Sequence, residues 1–372
     1  MNPTEPFCDM TTLFRASEGG YATYRIPAIV MTTRGTLLAF CAARVEPGDW
    51  SEIAIAHRRS ADGGATWSPM QNIASRPGAT VDNPVPIVDD QTGAVHFLHQ
   101  VDYERCLYLR SDDDGLSWCG PVDITATFDA FRNEYPWTVI APGPGHGIQL
   151  KNGRLVVPVW LSTGAGTEFG KGKRGHRPSV VSVITSDDHG ATWQRSEIVA
   201  RHSDATPNPS ETDALQLNDG RVLLNIRSES KRNRRLISIS ADGATGWSEP
   251  TFHEGLFEPI CFASLIRYSE QPSRILFANP DSQRTGAPAA TWGAWRRENL
   301  TVRLSLDEGQ TWPVARVIDP GVAGYSDLAV GADGTIYCLY EGGETGGNMF
   351  HNSHLTLAAF NLAWLTAGRE QA

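Results

Sequence analysis

Three arginines stand in places that apolar residues usually fill. Arg25 lies inside the run Tyr24-Arg25-Ile26-Pro27-Ala28-Ile29-Val30, Arg227 closes Val222-Leu223-Leu224-Asn225-Ile226, and Arg297 immediately precedes Glu298-Asn299-Leu300-Thr301-Val302. Taken singly, a guanidinium at a strand end pairs with a nearby carboxylate and does nothing more. Gathered round one point, three of them trap a carboxylate, because each offers paired donors in a fixed fork. The chemistry implied is recognition of a small acid.

What must position these side chains is a repeat. The spacing in Ser60-Ala61-Asp62-Gly63-Gly64-Ala65-Thr66-Trp67 returns at Ser111 to Trp118, at Ser186 to Trp193, in worn form at Ser240, Asp242, Ala244, Gly246 and Trp247, and at Ser305, Asp307, Gly309, Thr311 and Trp312. Each copy follows an apolar or alternating run such as Ile53-Ala54-Ile55-Ala56, which is how a strand entering a turn reads. The Asp accepts hydrogen bonds from its own turn, Gly supplies positive φ, and Ser or Thr adds a local cap. The Trp is expected to lie flat against the next hairpin. Copies start 51, 75, 54 and 65 residues apart, which suits four-stranded β units with loops of unequal length. The expected fold is an all-β, six-bladed β-propeller with Asp-box turns. It forms one domain over 1–372, with residues 1–20 as a lead-in and the last blade closed by N- and C-terminal strands.

Composition narrows the function classes. A formal charge of -10 argues against nucleic acid as a partner, since phosphate binding needs a basic face, though an acidic protein can still bind an anion locally. No apolar run approaches the length of a membrane span, and the first residues show neither a basic start nor an apolar core, so no signal peptide is read. The expected location is cytoplasmic, or secreted with the signal absent from this sequence. Six Cys lie far apart without Cys/His clustering, so no disulfide framework and no zinc site are expected. Oligomeric state is not readable.

Other spacings carry little. Gly170-x-Gly172-x-x-Gly175 has no strand before it and no helix after it, as a dinucleotide site requires. It falls in a glycine-rich stretch, 162–178, whose basic run from Lys171 to Arg177 reads as a solvated loop. Asp112, Asp114 and Gly115 look like a calcium loop but sit between strands. His351-x-x-His354 reads as a surface or strand pair, and a short helix is expected near Phe360 to Leu365.

With the boxes and the ordered motifs together, the chain resembles the exo-α-sialidases of glycoside hydrolase family 33, from Tyr-Arg-Ile-Pro at 24–27 to Tyr-Ser-Asp-Leu at 325–328. The resemblance implies a six-bladed propeller and a family arginine triad at Arg25, Arg227 and Arg297, with Arg296 adjacent to the last. Asp49, five residues after Arg44, resembles the acid/base on the first blade's loop 45–50, and Glu211 the residue that pairs with the nucleophile. Tyr325 resembles that nucleophile, and Glu341 the carboxylate that orients the first Arg. Asn83 resembles a residue near the N-acyl pocket; Asp82 beside it and Gln216 depart from the pattern. The implied reaction is retaining hydrolysis of a sialylated glycan or another ulosonic-acid glycoside, with no metal and no cofactor.

Without the resemblance, Asp49 and Glu211 read as solvated loop acids and Tyr325 as a packed strand residue. Three rival functions stay open. They are a relative acting on KDN or Kdo, a transferase moving the sugar to an acceptor, and a silent propeller that binds without cleaving.

Overall fold

The computed structural model describes residues 5–170, 173–285 and 295–366. Among them the helical elements are Thr125–Asp129, Leu362–Thr366 and a 3-10 turn at Ser282–Thr285; the rest of the regular structure is strand. Among the described residues no helix is long and apolar enough to cross a membrane.

Antiparallel hairpins follow one another around an axis. The first sheet holds Thr23–Met31, Leu37–Arg44, Ile53–Ser60 and Gln71–Ala74, and the second Val81–Val88, Val95–Val101, Arg105–Ser111 and Cys119–Asp123. The third is built on Val139–Pro142, Leu155–Ser162 and Ser179–Ser186, and the fourth on Thr212–Gln216, Val222–Ile226, Arg234–Ser240 and Thr251–Phe257. Seven remaining strands make one continuous sheet running from Ser264–Ser269 to Cys8–Arg15. Its middle strand, Val314–Val330, pairs through residues 314–322 with Glu298–Ser305 and through residues 323–330 with Ile336–Gly342. Hydrogen bonding therefore gives five sheets, because one long strand serves two four-stranded halves. At the far edge Cys8–Arg15 zips onto His354–Phe360, Cys8 opposite Phe360 and Arg15 opposite His354.

The apolar cores lie between sheets. Phe40 and Ile55 meet Val81 and Phe97; Val85 and Leu98 meet Val157 and Ile184; Val181 meets Leu224. The series continues through Leu223 with Phe277 and Leu276 with Cys338, and returns to the start where Leu339 and Leu355 meet Ile29 and Leu37. This is an all-β propeller.

The box turns form as their residue types require. Ser60 Oγ donates to Asp62 Oδ1 at 2.8 Å, Thr66 N–H donates to the same oxygen at 2.9 Å, and Gly64 N–H donates to Ser60 Oγ at 2.9 Å. The hydrogen bonds from Thr66 pull Asp62 down to about 2. Asp113, Asp188, Asp242 and Asp307 repeat the pattern. The Trp packs differently from expectation: it lies on the preceding sheet. Trp118 reaches Phe40 with ring centroids 5.9 Å apart, Trp193 reaches Tyr108 at 6.1 Å, and Trp247 Nε1 donates to Ser196 Oγ at 3.2 Å. The box ends the third strand of its unit, and its Trp turns back onto the core shared with the sheet before it.

All six Cys are free, and Cys119 is exposed. Arg174 and Arg177 of the basic stretch are held by partners, while Lys173 is exposed. Arg177 pairs with Glu229 at 2.5 Å, and Arg174 donates to the carbonyls of Thr138 and Asp102. Lys171 and Gly172 lie outside the described residues. Asp112 and Asp114 pair with Arg110 and Arg59, in place of any calcium-loop arrangement.

Candidate active site

At one end of the axis lies a cavity of about 700 Å³, lined by Arg25, Arg44, Asp49, Asp82, Asn83, Glu211, Arg227, Arg297 and Tyr325. Every site residue expected from sequence faces it except Glu341, which stands behind Arg25 and is 1% exposed.

Arg25 reaches the cavity through a break in strand pairing between Arg25 and Ala28, where Ile26 takes φ +54°. A β-branched residue there is strained, and the strain is held by Glu341. Glu341 accepts Arg25 Nε at 3.0 Å, Ile26 N–H at 3.0 Å and, on its other oxygen, Tyr325 N–H at 3.0 Å. Burial alone would raise Glu341; Arg25 and the Ile26 N–H outweigh it and hold the carboxyl below its ordinary value. Asn352 Oδ1 also accepts from Arg25, at 3.2 Å.

Arg227, at the end of Val222–Ile226, donates through Nη1 to Glu211 and, at 2.8 Å, to the Tyr325 hydroxyl. Tyr325 in turn donates to Glu211 Oε1 at 2.5 Å. Burial pushes the phenol well above its ordinary value, Arg227 pulling the other way, so the resting group is neutral. Arg297 lies 5.2 Å from the Tyr325 ring centroid, and Arg25 5.3 Å from it. Arg297 Nη2 donates to the carbonyl of Ile260 at 2.6 Å; Ile260 itself has φ +66°. Among the described residues Arg297 has no ion pair, whereas Arg25 pairs with Glu341 and Asp49, and Arg227 with Glu211. Arg296 turns away to Glu298 and Glu344.

Asp49 sits on the loop after Leu37–Arg44, its side chain 30% exposed. It accepts from Arg44 Nη1 at 2.6 Å, and Arg25 Nη1 is 3.9 Å away. Burial would raise this carboxyl, but the two guanidiniums hold it well below its ordinary value, so Asp49 is ionised in this conformation. Arg44 donates on its other arm to Asp82 at 2.9 Å, and Asp82 Oδ1 accepts the Asn83 N–H at 2.6 Å. Sequence reasoning did not find the aromatic wall beside Asp49. The His176 ring lies 4.6 Å from Phe169, 4.8 Å from Tyr103 and 5.1 Å from Trp160, centroid to centroid.

His351 lies near Asn348 and His354 near Ser353, apart from the cavity. One buried group has the residue types of a metal site, His146 with Asp213 and Asp327. Its carboxylate oxygens are already taken by the N–H groups of Ala214, Leu265 and Ile29, by Ser264 Oγ and by His146 itself. As a cation site it fits poorly.

The arrangement offers cations for one carboxylate, a neutral phenol bonded to a carboxylate, and a second carboxylate across the cavity. Comparison with known proteins agrees. The BNR repeat-like domain matches residues 71–338. A sialidase of Micromonospora viridifaciens is 32% identical over 93% of this chain and 52% of its own length, so the chain spans about half of that relative. An exo-alpha-sialidase of Aspergillus fumigatus is 28% identical over 98% of this chain and 92% of its own, and sialidase-3 of Rattus norvegicus 27% identical over 90% and 91%. Among solved structures, a Hadza microbial sialidase superposes with a TM-score of 0.78 at 26% identity, covering 96% of this chain and 69% of that one. A leech intramolecular trans-sialidase has a TM-score of 0.78 at 18% identity over 97% and 71%, a likeness of fold.

Proposed function

The chain belongs to the BNR repeat-like family, among the exo-α-sialidases of glycoside hydrolase family 33, and on that premise we propose that it is a retaining exo-glycosidase releasing terminal sialic acid through a tyrosyl-enzyme intermediate. We read the catalytic domain as one six-bladed ring over 1–372, the long strand Val314–Val330 being shared by two blades. The observation that carries the mechanism is the 2.5 Å hydrogen bond from Tyr325 to Glu211, with Arg227 on both.

The substrate keeps its carboxylate throughout, so a carboxylate nucleophile would approach an already negative centre. A neutral phenol avoids that repulsion. Arg25, Arg227 and Arg297 hold the substrate acid, with Arg297 contributing the charge not spent on a protein carboxylate. Tyr325 Oη attacks the anomeric carbon as its proton passes to Glu211. The glycosidic bond breaks, and the leaving oxygen takes a proton from Asp49. In the second half Asp49 takes a proton from water, the water oxygen attacks from the face that the leaving group vacated and displaces the tyrosyl oxygen, and Glu211 returns the proton to Tyr325. Asp49 must first leave Arg44 and become protonated. Its loop allows this, since residues 45–48 are exposed. Asp82 and Asn83 face the ring substituents and bear on acyl preference.

The test is covalent capture. Incubation with 2,3-difluorosialic acid should add one sugar to the tryptic peptide carrying Tyr325, and none in Tyr325→Phe. Absence of the adduct, with no turnover on glycosides of N-acetylneuraminic acid, KDN or Kdo, would reject the reading. An adduct with product on an acceptor sugar would favour transfer.

A further inference from the structure

Two residues beyond each member of the Tyr325–Glu211 pair lies a buried aspartate. Asp327 follows Tyr325 on Val314–Val330, and Asp213, on Thr212–Gln216, follows Glu211, which immediately precedes that strand and whose carbonyl accepts the Arg227 N–H. In a strand, i and i+2 point to one face, about 6 to 7 Å apart, so the two aspartates form the next layer down the axis. Between them stands His146. Its Nδ1 is 2.8 Å from Asp327 Oδ1, and one ring nitrogen and one oxygen of each carboxylate lie within 4.8 Å of one another. The segment that delivers it is threaded through a space only glycine fits: a Cβ at Gly145 would come within 2.4 Å of Phe262, and one at Gly147 within 2.6 Å of Ile87.

The layer is also tied to neighbouring strands. Asp327 accepts Ile29 N–H at 2.8 Å from the strand that carries Arg25, and Ser264 Oγ at 2.9 Å. Asp213 accepts Leu265 N–H at 2.7 Å. Take the cation away and two buried carboxylates face each other on the strands whose spacing sets the distance from phenol to base.

We propose that His146 is a positioning residue, whose imidazolium clamps Asp213 to Asp327 and thereby fixes the spacing between Glu211 and Tyr325 one layer above. The inference rests on the glycosidase reading given above. Charge supports it: burial would lower His146, but Asp327 and Asp213 outweigh burial and push it up to about 9, while burial, offset in part by His146, pushes Asp213 up to about 6. The clamp is thus complete between those values and loosens on the alkaline side. Protons reach it from the other end of the axis, where a second cavity of about 430 Å³ is lined by His146, Asp90, Lys151, Arg267 and Glu270. Lys151 is paired there with Glu270 and Arg267 with Glu308, so the charges nearest His146 are the two aspartates.

The experiment measures kcat and KM for a 4-methylumbelliferyl sialoside from about pH 5 to about pH 10, on wild type, His146→Asn, Asp213→Asn and the double variant. Wild type should lose kcat with an apparent value near that of His146 while KM stays flat. His146→Asn should lower kcat at neutral pH by about 100-fold with KM within about twofold, because misplacing a reacting group costs that much while the arginine trap is untouched. The double variant should recover most of the loss, since it removes the carboxylate left unopposed. Wild-type kcat in His146→Asn, equal shifts in kcat and KM, or additive losses in the double variant would overturn the proposal. If circular dichroism shows that His146→Asn does not fold, Asp213→Asn decides: the alkaline limb should move down by about one pH unit, and an unmoved limb rejects the clamp. A wild type active on sialosides but lacking these effects rejects the clamp alone; a wild type inactive on all of them rejects the glycosidase reading with it.

Discussion

Glu341 holds Tyr325 by its backbone: the Tyr325 N–H donates to Glu341 Oε2 at 3.0 Å, while the same carboxylate grips Arg25. One buried acid therefore places both Tyr325 and Arg25. It also holds the strained Ile26 N–H, so the site's geometry converges on a residue that does not line the cavity.

Replacing that acid should cost stability and turnover together. Glu341→Gln leaves the buried Arg25 charge opposed only by Asp49 at 3.9 Å, so unfolding free energy should fall by about 3 kcal/mol. Urea denaturation reads the first effect and kcat the second. An unchanged denaturation midpoint would show that Arg25 finds another partner.

Arg297→Lys separates binding from chemistry. Arg297 has no carboxylate of its own among the described residues, and a lysine offers a point charge in place of a fork. KM should rise by about tenfold or more with kcat changed far less. If instead kcat carries the loss, Arg297 acts on the transition state.

Asp49→Ala should discriminate between leaving groups. A sialyllactoside needs its departing oxygen protonated and should slow by about 1,000-fold, whereas an activated aryl glycoside leaves with little help and should slow much less. Equal losses on both substrates would remove the acid role. The ion pair with Arg44 makes a further point, because the acid limb of the profile reports Asp49 only after it has left that guanidinium.

Stability should fall in acid for a reason remote from the site. His57, 2% exposed and stacked on Phe40 at 4.8 Å, is held down to about 4, by burial first and Arg59 second. The unfolded chain binds this proton from about pH 6.5 downward and the folded one does not. Stability is therefore intact above that value and drops by about 3 kcal/mol as pH falls toward the folded value. His57→Phe should flatten this part of the curve, and an equal slope in both proteins would place the titration elsewhere.

The turns were legible because their chemistry is local: Asp62, Ser60 and Thr66 bond within one loop, and the residue types announce it. The arginines were legible because a guanidinium in an apolar run is conspicuous, and motif order supplied Asp49, Glu211 and Tyr325. The carbonyl of Ile260, the side chain of Asn352 and the ring of His176 carry no such mark, for what they do depends on partners far along the chain. The Trp orientation failed for a related reason. A strand pattern tells which residues are buried, and only the order of packing tells against which neighbour. The number of sheets likewise turned on the continuity of Val314–Val330, which turn spacing does not reveal.

The seam where Cys8–Arg15 lies along His354–Phe360 has a mechanical corollary. His354–Phe360 also borders Ile336–Gly342, whose Glu341 grips the strand of Tyr325, so Tyr325 is three ladders in from the edge. Peeling that first segment away would slacken the anchor of the phenol before disturbing the far side of the ring, and catalysis should fade while most of the molecule still stands.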